Sequence, residues 1–150
     1  MTTSRSAGTI HIPAEAGHLA EVRAFVRDAS MAFGASPLVT DDLVQAADEA
    51  VCNVILHGYR RSAASGDGAE IEIGAELVDG SIEIRILDRG PVFDPTAAAA
   101  PDLAVPPRAR KPGGMGIHLV RAGTDAVHHR PRPDGGNELR LVRRIDSQEG

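Results

Sequence analysis

Two stretches of alternating apolar residues, joined by a two-residue turn, constrain this chain more than anything else in it. Ile71, Ile73, Ala75 and Leu77 alternate with Glu70, Glu72, Gly74 and Glu76; after Asp79-Gly80, Ile82, Ile84 and Ile86 alternate with Glu83 and Arg85. A period of two means β-strands with one face buried, and Asp-Gly suits the tight turn between two such strands. With that turn, Leu77 opposes Ile82 and Ile73 opposes Ile86, so both apolar sets fall on one side. Such a sheet needs an apolar layer against that side.

The helices to supply it are legible upstream. Over residues 14–33, Leu19, Val22, Phe25, Val26, Ala29 and Phe33 recur at helical spacing, and Gly34 stops the run. Ser36-Pro37 or Thr40 caps a second helix, which is expected to run to Gly58. Residues 9–13 read as a short edge strand ended by Pro13, and residues 61–68 as a Ser/Ala/Gly loop. A short helix is expected over 116–123, and a last hairpin over 126–132 and 137–145 around Asp134-Gly135-Gly136. The order strand, two helices, two strands, loop, helix, two strands predicts an α+β fold. It is a two-layer α/β sandwich, a mostly antiparallel sheet covered on one face by helices. The 150 residues are expected to form one domain, and with aromatics at 3% and no Trp its core must be Ile, Leu, Val and Ala.

Charge and composition narrow the function. A net charge of -5 argues against a nucleic-acid-binding surface. The lone Cys52 has no internal disulfide partner and fits a reducing compartment. The N-terminal residues lack the apolar run of a signal peptide, and no stretch approaches the roughly 20 apolar residues that span a bilayer. The expected location is therefore the cytoplasm, without membrane contact.

Three segments carry chemistry. On the second helix, Leu43, Ala46, Ala47, Ala50, Val51, Val54 and Ile55 fill one apolar arc. Asn53 lies about 40° around the helix from Glu49, and both border that arc. An Asn oxygen suits a hard cation such as Mg²⁺, and a carboxylate one turn away can take a proton. By itself this spacing is more often a solvated pair. Asp88 continues the register of Ile82, Ile84 and Ile86, so it points toward the helix layer. A carboxylate there requires a hydrogen-bond donor such as adenine's exocyclic amine; the plainer reading is a strand-end Asp capping a turn. Arg89-Gly90 follows at once, and glycine permits a planar ring to approach the backbone. Gly113-Gly114-Met115-Gly116 precedes a helix beginning Ile117, a favourable place for phosphate. Residues 95–112, rich in Ala and Pro, form a long loop with Arg108, Arg110 and Lys111 near its end. The histidines say less: His128 and His129 are adjacent on an expected strand, point to opposite faces and cannot jointly chelate. Cys52 reads as packing, since no base stands beside it.

As an ordered set, these segments resemble the motifs of the GHKL ATPases, the Bergerat-fold superfamily that includes histidine kinases and gyrase. Glu49-Ala50-Val51-Cys52-Asn53 with His57-Gly58-Tyr59 is similar to the N-box. Asp88-Arg89-Gly90-Pro91-Val92-Phe93-Asp94-Pro95 is similar to the first glycine box, and Gly113-Gly114-Met115-Gly116-Ile117 to the second. The His-Gly-Tyr and Phe-Asp-Pro endings are closest to the anti-sigma-factor serine/threonine kinases. The resemblance implies ATP with Mg²⁺, a sigma factor held away from RNA polymerase, and phosphorylation of a STAS-type anti-anti-sigma partner. It implies Glu49 as catalytic base, Asn53 as Mg²⁺ ligand, and Asp88 with Gly90 at adenine. Gly114 and Gly116 would flank the phosphates, with Phe93, Met115 and Ile117 in the same nucleotide-binding motifs. Residues 95–112 would be an ATP lid from which Lys111 or Arg110 adds charge at the γ-phosphate. Relatives often form homodimers. Val92 replaces a glycine that many relatives have, a change the anti-sigma branch tolerates. Asn137 replaces a Thr of the last strand, leaving its amide to bond a phosphate or water.

The resemblance thus predicts a kinase that switches between partners. The alternative is a non-catalytic ATP-binding anti-sigma or regulatory module, which has no need of Glu49. A third reading, a regulatory domain detached from a larger signalling enzyme, is disfavoured by termini that read as nearly complete. Arg23 and Arg27, on the side of the first helix opposite Leu19, Val22 and Val26, are expected to be exposed and available to a partner.

Overall fold

A computed structural model describes residues 3–59, 69–90, 120, 122–133 and 135–145, with the backbone alone at 57–59. Five antiparallel strands form one sheet in the order β1-β2-β3-β5-β4. They are β1 (Ser4–Pro13), β2 (Glu70–Val78), β3 (Ser81–Asp88), β4 (Ala126–Pro131) and β5 (Asn137–Arg144).

The β2–β3 hairpin has the expected register, Leu77 opposite Ile82 and Ile73 opposite Ile86. Asp79 and Gly80 both take positive φ, 48° and 82°, which gives the turn the hand that matches the twist of its strands. Ile71, Ile73, Ile82, Ile84 and Ile86 are completely buried. Each such side chain contributes about 1.5–3 kcal/mol of apolar burial.

Helices α1 (Leu19–Ala32) and α2 (Pro37–Asn53) pack on each other and supply the other half of this core. Val22, Val26 and Ala29 come from α1; Leu43, Ala46, Ala47, Ala50 and Val51 come from α2. The first helix begins later than expected, because residues 16–18 form a single 3₁₀ turn. It ends as expected at Gly34, whose φ of 93° allows Gly34 N–H to donate to Met31 O and Ala35 N–H to Ser30 O. Ser36 caps α2 by accepting from Val39 N–H at 3.2 Å, with Pro37 as the first helical residue. Beyond Asn53 the helix widens into a π-helical turn, Val54–Tyr59, so Gly58 lies inside the helix and does not stop it. A wider turn of this kind occurs where one residue more than an α turn needs is accommodated, and it recurs at functional sites.

The first strand also departs from expectation. Strand β1 is twice the expected length, reaching back to Ser4 through a bulge at Ser6 and Gly8. Its first half is polar and exposed, so no apolar alternation announces it; main-chain pairing with β2 holds it. Arg23 and Arg27 are exposed as expected, and each also pairs across the helices: Arg23 Nη1 lies 2.7 Å from Asp48 and Arg27 Nη1 3.2 Å from Asp41, linking α1 to α2. The sheet face away from the helices is charged, with Glu76–Arg85 and Glu83–Arg140 pairs crossing it. No helix among the described residues is long and apolar enough to cross a membrane.

Candidate functional site

The site is built around the last residue of β3. The alternation that buries Ile82, Ile84 and Ile86 carries Asp88 to the same face, where it is 2% exposed. Gly90 N–H donates to Asp88 Oδ1 at 2.8 Å, and Asn137 Nδ2 donates to the same oxygen at 3.0 Å. The first of these bonds is the turn cap of the plainer sequence reading. The second makes the residue more than a cap, because it comes from β5, where Asn137 pairs directly with Asp88.

Burial pushes the Asp88 carboxyl above its ordinary range. The hydrogen bonds from Asn137 and Gly90 oppose that shift, as do the nearby Arg132 and His129. Arg132 Nη1 also donates to Asp88 O at 3.1 Å, which fixes the backbone at the strand end. Such a carboxylate, dry and already oriented, is suited to accept from one more donor.

The β4–β5 turn runs directly beneath this point. Gly136 has φ of 101°, and a Cβ there would collide with Asp88 O and sit 2.7 Å from Arg89 Cα. Only glycine allows the two backbones to approach so closely. Asn137 follows, and its Oδ1 lies 2.7 Å from His129 Nε2 on β4. Asn137 thus bonds both Asp88 and His129, two contacts that the sequence does not announce. His129 has no role in the sequence reading. Its signal lies in the register of the last hairpin: His129 opposes Leu139, so it shares a face with Asn137 two residues away.

Glu49 and Asn53 stand one turn apart near the end of α2. Asn53 is 7% exposed, which is not the solvated side chain of the plainer reading, and Glu49 is half-buried. Helix α2 lies against β5, the strand paired with β3. Both residues thus belong to the layer that covers the Asp88 face of the sheet. Cys52 between them has its thiol pushed up by burial, then by Glu49 and Asp48, so it is protonated and unsuited to nucleophilic work. Among the described residues no group of His, Cys, Asp and Glu is placed to hold a metal ion without other ligands. The expected positions Phe93, Lys111, Gly114, Met115, Gly116 and Ile117, the lid over 95–112 and the 61–68 loop lie outside the described residues, as do the side chain of His57 and most of the 116–123 helix. Of that helix, Val120, Ala122 and Gly123 are described, and Val120 is fully buried in the core.

The chain matches the histidine kinase-like ATPase domain family over residues 12–143. It is 33% identical over 100 residues to the serine/threonine-protein kinase BtrW of Bordetella bronchiseptica, covering 67% of each chain. Over 122 residues it is 30% identical to the serine-protein kinase RsbW of Oceanobacillus iheyensis, covering 77% of this chain and 73% of that one. Over 134 residues it is 30% identical to an anti-sigma F factor of Clostridium botulinum, covering 82% and 86%. Its fold is similar to that in the crystal structure of the RsbU and RsbW domains of Rv1364c from Mycobacterium tuberculosis. The TM-score is 0.60 at 22% identity, over 93% of this chain and 33% of that one, so that likeness bears on the fold alone. The antiparallel sheet with helices on one face and the matched relatives agree: this chain belongs to the histidine kinase-like ATPase family, among the anti-sigma-factor serine/threonine kinases.

Proposed function

We propose that this protein is an ATP-dependent serine/threonine kinase that acts as an anti-sigma factor in the cytoplasm and phosphorylates a STAS-type anti-anti-sigma partner. The observation that carries the nucleotide reading is Asp88, a carboxylate 2% exposed, with one oxygen already accepting two hydrogen bonds. A further donor is directed to its other oxygen, and adenine's amine has the right polarity. The whole chain is taken as one ATP-binding unit.

The α2 pair supports the catalytic half of the reading. Asn53 offers a neutral oxygen at the buried end of the helix, as a ligand to Mg²⁺ would. When bound, Mg²⁺ neutralises charge on the phosphates and orients the γ-phosphoryl group. Glu49, one turn earlier and half-buried, accepts the proton of the attacking serine or threonine hydroxyl. The hydroxyl oxygen forms the new bond to the γ-phosphorus as the bond to the bridging oxygen breaks, and ADP leaves with that oxygen. A pure ATP binder has no use for a carboxylate in this place. Similar proteins carry the names of serine/threonine kinases and of anti-sigma factors, which favours a protein with both roles.

The test is transfer of labelled γ-phosphate to candidate STAS proteins by the parent and by Glu49→Ala. The parent is expected to label one of them at a serine or threonine. Loss of the base is expected to slow transfer by about 10²- to 10⁴-fold with ATP affinity nearly unchanged. Transfer at the parent rate by Glu49→Ala would remove Glu49 from the chemistry. ATP binding with no transfer to any STAS protein would favour the non-catalytic module.

A further inference from the structure

The β4–β5 turn sends a charged side chain across to the end of β3. Arg132 stands between Pro131 and Pro133, and a following proline restricts a residue to extended backbone. Its main chain is pinned twice: Arg132 N–H donates to Gly136 O at 3.0 Å, and Gly135 N–H donates to Arg132 O at 3.1 Å. Gly135 and Gly136, with φ of 95° and 101°, reverse the chain. From this fixed root the half-buried side chain reaches Asp88, where Nη1 donates to the main-chain oxygen at 3.1 Å.

The choice of acceptor matters. A guanidinium paired with the carboxylate itself would take up the oxygens that a ligand's donor needs. Bonded to the carbonyl, it brings its charge to the same residue and leaves the carboxylate to other donors. Gly90 N–H and Asn137 Nδ2 use Oδ1. Of the charges that favour the anion Arg132 contributes most; His129 on β4 adds less, and burial opposes both. Arg89, next in the chain, and Glu49, a like charge in the α2 layer, are the same in the parent and in the Arg132 variants below.

We infer that Arg132 is a positioning residue for nucleotide binding: clamped to the Asp88 carbonyl, its guanidinium keeps a positive charge beside the carboxylate that must meet a 6-amino purine as an acceptor. Its charge extends ATP binding toward acid. This rests on the reading that Asp88 meets the base of the nucleotide. Arg132 touches no reacting atom in this role; it acts through Asp88.

The experiment is calorimetric titration of the full chain with Mg-ATP and, separately, Mg-ITP across the acid range. ITP carries the same triphosphate, and its 6-oxo group cannot donate to a carboxylate. The ratio of the two affinities therefore cancels the titration of the phosphates. In parallel, ¹³C NMR follows the Asp88 carboxyl in the nucleotide-free chain. Arg132→Met removes the charge at similar length, and Arg132→Lys keeps it. In Arg132→Met both the fall of the ATP-to-ITP ratio and the Asp88 midpoint are expected to move up by about one pH unit. In Arg132→Lys both are expected to stay near the parent's. A merely structural clamp would lower the ratio by one factor at every pH and leave the Asp88 midpoint in place. The unaltered protein supplies a readout that needs no variant to fold: the ¹⁵N resonances of the Arg132 guanidinium should shift with the midpoint of the Asp88 carboxyl. An Asp88 midpoint unmoved in Arg132→Met, an equal movement in Arg132→Lys, or a guanidinium blind to the Asp88 titration would each overturn the inference. In those cases, loss of ATP binding in Asp88→Asn would leave the adenine reading standing. A ratio that stays flat while the Asp88 carboxyl titrates would overturn that reading and the inference with it.

Discussion

The two hairpins of this sheet have the same topology and opposite chemistry. In β2–β3 every inward position up to Asp88 is apolar, and the register is held because slipping by one residue would expose five isoleucines. In β4–β5 the inward line runs through Leu141, Leu139, His129 and Asn137, and the turn closes against the Asp88 backbone. The first hairpin is held by burial and would serve any protein of this fold. The second gives up apolar area at its turn end for a network of hydrogen bonds that orients a single carboxylate. On the proposed reading of Asp88, stability and function fall to neighbouring strands, and substitutions should separate them.

The largest effect is expected in the apolar hairpin. Ile84→Ala removes a fully buried side chain at the sheet centre and should cost about 2–5 kcal/mol in denaturant unfolding. Under conditions where the variant is folded, its preference for ATP over ITP should be that of the parent. A changed preference would mean that the two hairpins are not separable.

The turns offer the next contrast. Gly136→Ala drives a Cβ into the Asp88 carbonyl and requires positive φ of a residue that resists it, a cost of about 2–4 kcal/mol with loss of nucleotide affinity. Gly80→Ala has the same φ problem, at 82°, but nothing within 4 Å, so about 1 kcal/mol and unchanged affinity are expected. Equal effects on binding would put the Gly136 contact outside the site.

Acid should separate the regions again, more gently. The Asp88 carboxyl titrates above its ordinary range when folded, so the folded chain takes up this proton before the unfolded chain does. Asp88 therefore adds stability to the nucleotide-free protein as pH falls through its raised value toward the ordinary one, and that increment is lost as pH rises. If Asp88 reads adenine as proposed, ATP needs the anion, and affinity should fall in the same window. The measurement is the parent's stability and ATP affinity against pH, with Asp88→Asn subtracted from the stability curve. ATP affinity that stays flat until the ordinary carboxylate range would contradict it.

The smallest effect lies between the helices. Arg23 and Asp48 are partly exposed, and Arg23→Ala should cost at most about 1 kcal/mol, reduced further by salt. A larger loss would mean that the α1–α2 ties matter more to the fold than their exposure implies.

The same division separates what the amino-acid sequence discloses from what it conceals. Alternating isoleucines announce a hairpin because period two is its direct consequence, and the same period aims Asp88 inward. The caps at Ser36 and Gly34 are legible for a local reason, since each acts within three to five residues. The partners of Asp88 are not, because they arrive from residue 137 and, through it, from residue 129. One inward-facing His and one Asn on short strands leave no periodic trace. The pairing of Arg23 with Asp48 is likewise hidden, because the two are 25 residues apart. The π-helical turn after Asn53 differs from an α turn by a single residue, which six residues of apolar pattern do not resolve.

The most direct measurement is Mg-ATP titration of the parent and Asp88→Asn, followed by unfolding free energy. At about 100 times its dissociation constant, ATP should stabilise the parent by roughly 2.7 kcal/mol. Asp88→Asn, folded in the absence of nucleotide, should show no stabilisation at the same concentration, because its amide presents a donor toward adenine's amine. Stabilisation of the variant equal to that of the parent would mean that Asp88 does not read the base.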